Sequence, residues 1–394
     1  MRFIGIDIGS EKHFVAVVDT DGKVVRKATP FLEDEAGYAK LREVIGSAEG
    51  ALVAMEATGH YWQNLFAMLT SLGFAIALLN PLRTRRFAEE DLRRTKTDAI
   101  DALGIARFAQ QKRPAATPLA DEAAQEIREL VRHRDRLVQD LGDRVRQLHR
   151  IVDLGFPEFT RHVRDLACPR ATAILHAYPT AKAFADVSSE TLAELAFNGR
   201  QHVGRPLADA LIAAAKQSVG RHHGAAYRLQ AQHACEDIDT LRRRIKTIEK
   251  DISSALDKHE VGKLLTTIDG IADTTASRLI AELGDIAAFK SADALAAYVG
   301  VVPGIQHSGK STPLSQRLSS YGHAALRAKL YMPTLAATKH NPWLRRFYER
   351  LLAAGKPPKV AIVAAMRKLL HAVYSVAKNR RAFTPILAAP QAAS

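Results

Sequence analysis

Cysteine is almost missing from this chain: Cys168 and Cys235 are the only two in 394 residues. Two cysteines build no disulfide framework and no metal-ligand cluster, and a reducing cytoplasm suits them best. Acid is short relative to base: 42 Asp and Glu face 56 Lys and Arg, a formal net charge of +14 with a pI near 9.8. Long apolar runs are missing too. None approaches the roughly 18–20 residues that a spanning helix needs, so no membrane partner is expected. The N-terminal MRFIGIDIGSEKH meets acid and base too early for a secretory leader.

What is there describes a folded, basic protein. Hydrophobic residues make up 47%, which excludes global disorder, and the length allows two or three domains. The charge excess points to a polyanionic partner, nucleic acid before a membrane surface. A generically basic protein is the plainer reading. Between Lys339 and Arg381 there are 11 Lys and Arg against one acid, Glu349. So uncompensated a stretch, including Arg345, Arg346 and Lys368, favours a nucleic-acid surface over a merely solvated helical face.

The first third reads as α/β. FIGIDIGS (3–10) is a strand, and HFVAVVDTDGKVVRKA returns through an Asp21-Gly22 turn as a hairpin. A helix over 35–46 leads to a fourth strand, ALVAMEAT (51–58). A second helix, 61–73, leads to a fifth strand, FAIALLNP (74–81). Three antiparallel strands followed by two separated by helices is the order of a ribonuclease H-like sheet, although other mixed α/β folds share parts of it. Residues 121–152 place Ile127, Val131, Arg134, Val138, Leu141, Val145, Leu148 and Val152 at steps of four and three. Residues 229–256 repeat the pattern with Ile238, Leu241, Ile245, Ile248, Ile252 and Ala255. The sustained period predicts a coiled coil, within the chain or between chains, with an ordinary helical hairpin as the plainer alternative. From 259 the chain is mainly helical. LLTTIDGIADTTASRLIAELGD predicts two helices joined at Asp269-Gly270-Ile271, with Asp273 or Thr274 as cap. The expected divisions are 1–115, 116–258 with a helical insert at about 153–225, 259–385, and a tail, 386–394.

One acidic constellation stands out. Alternation along the first strand puts Gly5, Asp7 and Gly9 on one face, so small neighbours should leave open room above the Asp7 carboxylate. Asp is disfavoured in mid-strand and needs a reason there. The fourth strand ends in Glu56, and adjacency of strands one and four would make these two neighbours. KTDAIDALGIA (96–106) then carries Asp98 and Asp101 on one helical face. Like charges at that spacing cost about 0.2–0.5 kcal/mol, so helix stability gives no reason to keep both. Following the fifth strand, this helix can close over the same point. Converging carboxylates repel unless a cation sits among them, and all-oxygen ligation suits Mg²⁺ or Mn²⁺. Two such ions could clamp a phosphodiester. The six basic residues of RTRRFAEEDLRRTK, namely Arg83, Arg85, Arg86, Arg93, Arg94 and Lys96, could hold a nucleic-acid backbone beside it. Taken singly, each acid also has a bland reading: a turn cap, a lysine partner, a solvent-facing pair.

Gly304-IQHS-Gly309-Lys310-Ser311 fits the pattern of a nucleotide phosphate loop, which needs a preceding strand, for which only YVGVVP offers itself. Pro313 follows closely, the surroundings are helical, and no second nucleotide-binding element is present. GIDIGS is also similar to the first phosphate loop of the actin and sugar-kinase fold, but no second Gly-rich half exists. Within HSGKST, Lys310 could meet a phosphate; no adjacent base singles out Ser308 as a nucleophile.

Taken in order, GIDIGS, MEATGHYW, LLNP and RRTKTDAIDALGIARF, then TIDGIADTTASRLIAELGDIAAFKSADALAAYVGVVPGIQHSGKS and GHAALRAKLYMPTLAAT, resemble the DEDD-type recombinases of bacterial insertion sequences. These are the bridge-RNA-guided transposases. The resemblance covers about 1–115 and 260–380. It implies a RuvC-like, ribonuclease H-like α/β N-terminal domain, long coiled-coil helices and a mainly α C-terminal transposase domain. It implies that Asp7, Glu56, Asp98 and Asp101 are the metal-binding tetrad, with Mg²⁺ or Mn²⁺ as cofactor, and that Ser308 is the catalytic serine. It further implies donor and target DNA as substrates and a guide RNA that reads sequence by base pairing. Assembly from homodimer to homotetramer through the coiled-coil helices is implied too. The alternative is a RuvC-like structure-specific endonuclease, in which metal-activated water attacks and Ser308 is idle. Asp269-Gly270 replaces the family's usual Pro-Gly, and the 153–225 insert is longer than in compact members.

Overall fold

The computed structural model describes residues 1–57, 59–90, 97–117, 121–302 and 322–385. The chain divides into two compact units, Met1–Leu119 and Ala120–Ser394.

The first unit is a five-stranded mixed sheet: β1 (Arg2–Asp7), β2 (Lys12–Val18), β3 (Val24–Leu32), β4 (Ala51–Glu56) and β5 (Ala75–Leu79). Their spatial order is β3-β2-β1-β4-β5. The β1-β2-β3 pairs are antiparallel, and β1-β4 and β4-β5 are parallel. This order is consistent with a ribonuclease H-like fold. The β2–β3 turn forms where expected. Asp19 Oδ1 accepts from the N–H groups of Asp21 (3.0 Å) and Lys23 (2.9 Å), and Gly22 supplies φ = 77°.

Period-two alternation gives the sheet two faces. Ile4, Ile6, Val15, Val17, Val53, Met55 and Ile76 form one apolar layer with α1 (Glu35–Ile45) and α2 (Trp62–Ser71). Asp34 caps α1 by accepting from Gly37 N–H at 2.7 Å. Phe3, Leu52, Ala54, Ala77 and Leu79 point the other way, against Ile105, Ala106, Phe108 and Ala109 of α4 (Asp98–Lys112). Between β5 and α4 comes α3 (Pro81–Glu90).

The second unit is built on α5 (Glu122–Gly155) and α10 (Ala225–Lys258), each of 34 residues. Arg134 pairs with Glu249 at 2.6 Å and Arg144 with Asp237 at 3.0 Å, so the two helices run antiparallel within one chain. The heptad seam is thus satisfied as a helical hairpin; a coiled coil is not shown. Its two ends are buried in separate cores. Ile127, Val131, Ile252 and Leu256 enter one; Leu148, Val152, Ala234 and Ile238 enter the other. Val138, Leu141, Val145, Ile245 and Ile248, between them, are only half-buried.

The second of these cores is completed by the 153–225 insert. It contains α6 (Phe159–His162), α7 (Pro169–Ala177), α8 (Ser189–Ala193), a two-residue ribbon of β6 (Ala196–Phe197) and β7 (Gln201–His202), and α9 (Arg205–Lys216). The ribbon interrupts the expected helices. Asn198 (φ = 52°) and Gly199 (φ = 78°) make its turn, the Asn-Gly signature of a tight hairpin.

The first core belongs to α11 (Glu260–Leu265), α12 (Asp273–Leu283), α13 (Ala292–Val299), α14 (Ala324–His340), α15 (Pro342–Ala353) and α16 (Pro358–Asn379). The expected α11–α12 hairpin is present, and Gly270 at its turn (φ = 99°) lies so close to α14 that a Cβ would stand 2.4 Å from Ala337 Cβ. The cap differs from expectation. Ala272 occupies the cap position of α12, because Asp273 is already helical and its carboxylate accepts from the Ser253 hydroxyl of α10. Among the described residues, α16 is the one helix long and apolar enough to cross a membrane, and 56% of that stretch is buried. Arg367 and Lys368 interrupt the run in sequence, while Ile362, Met366, Leu369, Leu370 and Val373 face the core.

Candidate functional site

The sheet order brings the first two acids together. Ile6 pairs with Met55 in the parallel β1–β4 register, so Asp7 and Glu56, one residue on, close the same end of neighbouring strands. Both are half-buried. On that face lies α4. A Cβ on Gly5 would stand 2.2 Å from both Ala102 O and Ala106 N, so the helix backbone rests directly on β1. Near its C-terminal end, Gln110 Nε2 donates to Thr20 O (2.8 Å) at the β2–β3 turn, on the Phe3 side of the sheet. The helix therefore runs opposite to β1, and its first turn, with exposed Asp98 and half-buried Asp101, lies toward the Asp7 end.

Two sequence expectations change here. Gly5 and Gly9 do not leave open room above Asp7. The space at Gly5 is filled by α4, and a Cβ on Gly9 would stand 2.4 Å from Lys12 O. These glycines admit backbone. Nor is the Asp98/Asp101 pair without a stabilising role. Thr97 caps α4 by accepting from Ile100 N–H at 3.3 Å, so both acids sit in the first turn. There the helix dipole favours each by about 0.3–1 kcal/mol, which offsets their mutual repulsion.

The donor chemistry fits a hard divalent cation: four carboxylates on three elements at one sheet end, with no soft ligand among them. Among the described residues, no three His, Cys, Asp or Glu side chains stand close enough to hold an ion as they are. The fold gathers the elements and leaves the side chains short of ligand geometry.

Glu56 has a partner that the sequence did not reveal. Leu79 is its β5 register partner, and α3 begins two residues later. Thr84 of α3 is 7% exposed, and its Oγ1 donates to Glu56 Oε1 at 2.5 Å. The available signal was a lone Thr within RTRR, at the helix position that turns back to the sheet.

The basic candidates divide. On α3, Arg83, Arg85 and Arg86 are exposed; Arg85 pairs with Glu89 (3.0 Å), and the Arg83 guanidinium lies 5.5 Å from the Phe108 ring centre. Arg345 and Arg346 are exposed on α15. Lys368 is placed differently: its ammonium sits 4.2 Å from the Trp343 ring centre and 4.5 Å from that of Phe347. Burial, and then the nearby Arg350 charge, hold its pKa below the usual lysine range. Its charge is engaged in the α15–α16 contact, on a side chain that is half-buried. Arg93, Arg94, Lys96, Ser308 and Lys310 lie outside the described residues. So does the phosphate-loop match, but the strand it needs does not form: Tyr298 and Val299 end α13, and Gly300 terminates it at φ = 83°.

Comparison with known proteins agrees with this frame. Residues 4–157 match a family model described as a transposase, of DEDD type, and 262–349 match one described as the transposase IS116/IS110/IS902 family. The insertion element IS116 protein of Streptomyces clavuligerus is 26% identical, over 97% of this chain and 96% of its own length. The mini-circle putative transposase for IS117 of Streptomyces coelicolor is 28% identical over 98% of each. A pilin gene-inverting protein of Moraxella bovis is 25% identical, over 84% of this chain and 80% of its own. With both ends of the chain matched in order, the α/β unit by one model and the helical core around α11–α15 by the other, the chain belongs to the IS110 family of insertion-sequence transposases.

Proposed function

We propose that this DNA-rearranging transposase cleaves and rejoins DNA strands with Ser308 as nucleophile, at a phosphate that would be engaged through divalent metal held by Asp7, Glu56, Asp98 and Asp101. The observation that carries the reading is the convergence of the β1 and β4 ends with the first turn of α4. The strand register sets the spacing of Asp7 and Glu56, and the seat of α4 on Gly5 sets that of Asp98 and Asp101 against them. Mg²⁺ or Mn²⁺ bound by these four side chains would neutralise charge on the phosphodiester. Ser308 is assigned by the family resemblance. Its Oγ bonds to phosphorus while the bond from phosphorus to the departing deoxyribose oxygen breaks. The serine proton is given up to solvent, and the departing oxygen takes one. The strand stays on the protein as a phosphoserine ester until the hydroxyl of a new strand attacks and releases Ser308. Arg83, Arg85 and Arg86, with Arg93, Arg94 and Lys96, hold the backbone next to the acids, and Arg345 and Arg346 add a second basic surface. Sequence choice is delegated to a guide RNA, in keeping with high net charge and no base-reading module. The half-buried middle of the α5–α10 seam is where copies associate.

The test compares wild type, Asp7→Asn and Ser308→Ala on duplexes carrying the element's junction, with and without its RNA. Wild type should give a protein–DNA adduct on a denaturing gel, only with RNA present. Both variants should bind DNA, yet form neither adduct nor recombinant. Ser308→Ala cutting at the wild-type rate, with Asp7→Asn inactive, would replace the serine by water and make the protein a RuvC-like endonuclease.

A further inference from the structure

The structure assigns Thr84 as a positioning residue for Glu56: its hydroxyl fixes the carboxylate from the basic helix α3. The inference rests on Glu56 belonging to the acidic site. Thr84 Oγ1 lies 2.5 Å from Glu56 Oε1 and 3.0 Å from Pro81 O. A hydroxyl carries one proton, so these acceptors compete. A threonine in a helix ordinarily gives its proton to the carbonyl one turn back, as Pro81 O would be. Here the shorter contact is with the carboxylate, the stronger acceptor of the two because it is charged. Burial of Thr84 keeps water from substituting for either partner. The bond engages Oε1 and leaves Oε2 as the oxygen of Glu56 without it.

The location gives the bond a function beyond packing. Other contacts already hold α3 where it is: Asn80 O accepts from Arg83 N–H at 2.8 Å, Asn80 Oδ1 accepts from Leu82 N–H at 2.9 Å, and Phe87 meets Phe108 edge to face at 5.4 Å. The hydroxyl is not needed to seat the helix, so it acts on Glu56. Arg83, Arg85 and Arg86 flank Thr84, so a strand gripped by those arginines and the orientation of Glu56 are joined through one side chain. A residue that orients a ligating carboxylate usually changes metal affinity by about 10–100-fold when removed.

The test uses full-length Thr84→Val, which keeps shape and removes the proton, with Thr84→Ser as the conservative rescue and Glu56→Gln as the reference. Mn²⁺ binding without DNA is read by calorimetry or by loss of the free-ion EPR signal, and the Mg²⁺ concentration for half-maximal cleavage is read separately. Thr84→Val should keep the wild-type circular dichroism and melting profile, bind Mn²⁺ roughly tenfold more weakly, and need correspondingly more Mg²⁺. Thr84→Ser should behave as wild type. Should Thr84→Val fold poorly, Thr84→Ala carries the same expectation. Wild-type Mn²⁺ affinity and Mg²⁺ dependence in the folded Thr84 variant, with Glu56→Gln deficient in both, overturns the inference and leaves the acidic site standing. A Glu56→Gln protein that binds and cleaves as wild type removes the site itself, and Thr84's role with it.

Discussion

Gly5→Ala should cost far more activity than its size suggests, because it acts on the placement of α4. The added Cβ would meet Ala102 O and Ala106 N at 2.2 Å and Ala106 Cα at 2.8 Å, all backbone atoms of a packed helix. No side chain can swing aside, so the helix must lift by roughly 1 Å to restore ordinary contact. Overpacking of this kind costs about 1–3 kcal/mol. The same lift moves Asp98 and Asp101 away from Asp7 and Glu56, and a displacement of about 1 Å in a reacting constellation is worth roughly 100-fold in rate. Gly5→Ala should therefore remain folded, with faster hydrogen exchange in β1 and α4, while single-turnover strand cleavage falls about 100-fold. Gly104→Ala is the control on the same helix. A Cβ there meets nothing within 4 Å, so it should stabilise α4 by about 0.5–1 kcal/mol and leave the rate unchanged. A Gly5→Ala enzyme that cleaves at the wild-type rate would refute the claim that the seat on Gly5 positions the two helical acids.

In the second unit, Arg278 is buried and donates to Asp135 Oδ1 at 2.6 Å and Oδ2 at 2.7 Å, which holds the Asp135 carboxyl below its ordinary range. A lowered folded-state pKa means this stabilisation is full above the unfolded value near 3.9 and is lost as pH falls through the lower folded one. Melting followed from pH 7 to 2 should show a decline in wild type below about pH 4 that is smaller in Asp135→Asn. Arg278→Leu should cost about 3–4 kcal/mol at neutral pH, the low side of the buried-pair range, since the Asp135 side chain is 32% exposed. Lys368→Met should leave DNA affinity and its salt dependence unchanged, whereas Arg345→Ala with Arg346→Ala should reduce the salt slope by roughly 1–2. A salt slope lowered equally by Lys368→Met would show that the ammonium leaves its rings to meet phosphate.

The order of the sheet was legible because it rests on local signals: alternation, an Asp-Gly turn, and helices too long to be anything else. Those signals also located Asp7 and Glu56, since a carboxylate at a strand's end has a position as soon as the strand has neighbours. What decides the chemistry was less visible. Gly5 read as empty space because a missing side chain looks the same in sequence whether it admits a ligand or a helix backbone. Asp98 and Asp101 read as costly because the helix start at Thr97, which places them in the favourable first turn, is a matter of a single cap. Thr84 was hidden by its neighbours: in a run of arginines the eye takes charge as the message, and the one uncharged residue is the one turned inward. Lys368 is the converse case. A lysine in a basic stretch reads as surface, yet Trp343 and Phe347 lie on a different helix, 25 and 21 residues earlier in the chain, and only their packing shows where its charge goes. In each case the sequence supplies the residue type, while a contact between elements distant in the chain supplies its role. The acidic candidates are the extreme example, since the four carboxylates are spread over β1, β4 and α4, and the elements that carry them are brought to one sheet end only because the helix backbone rests on Gly5.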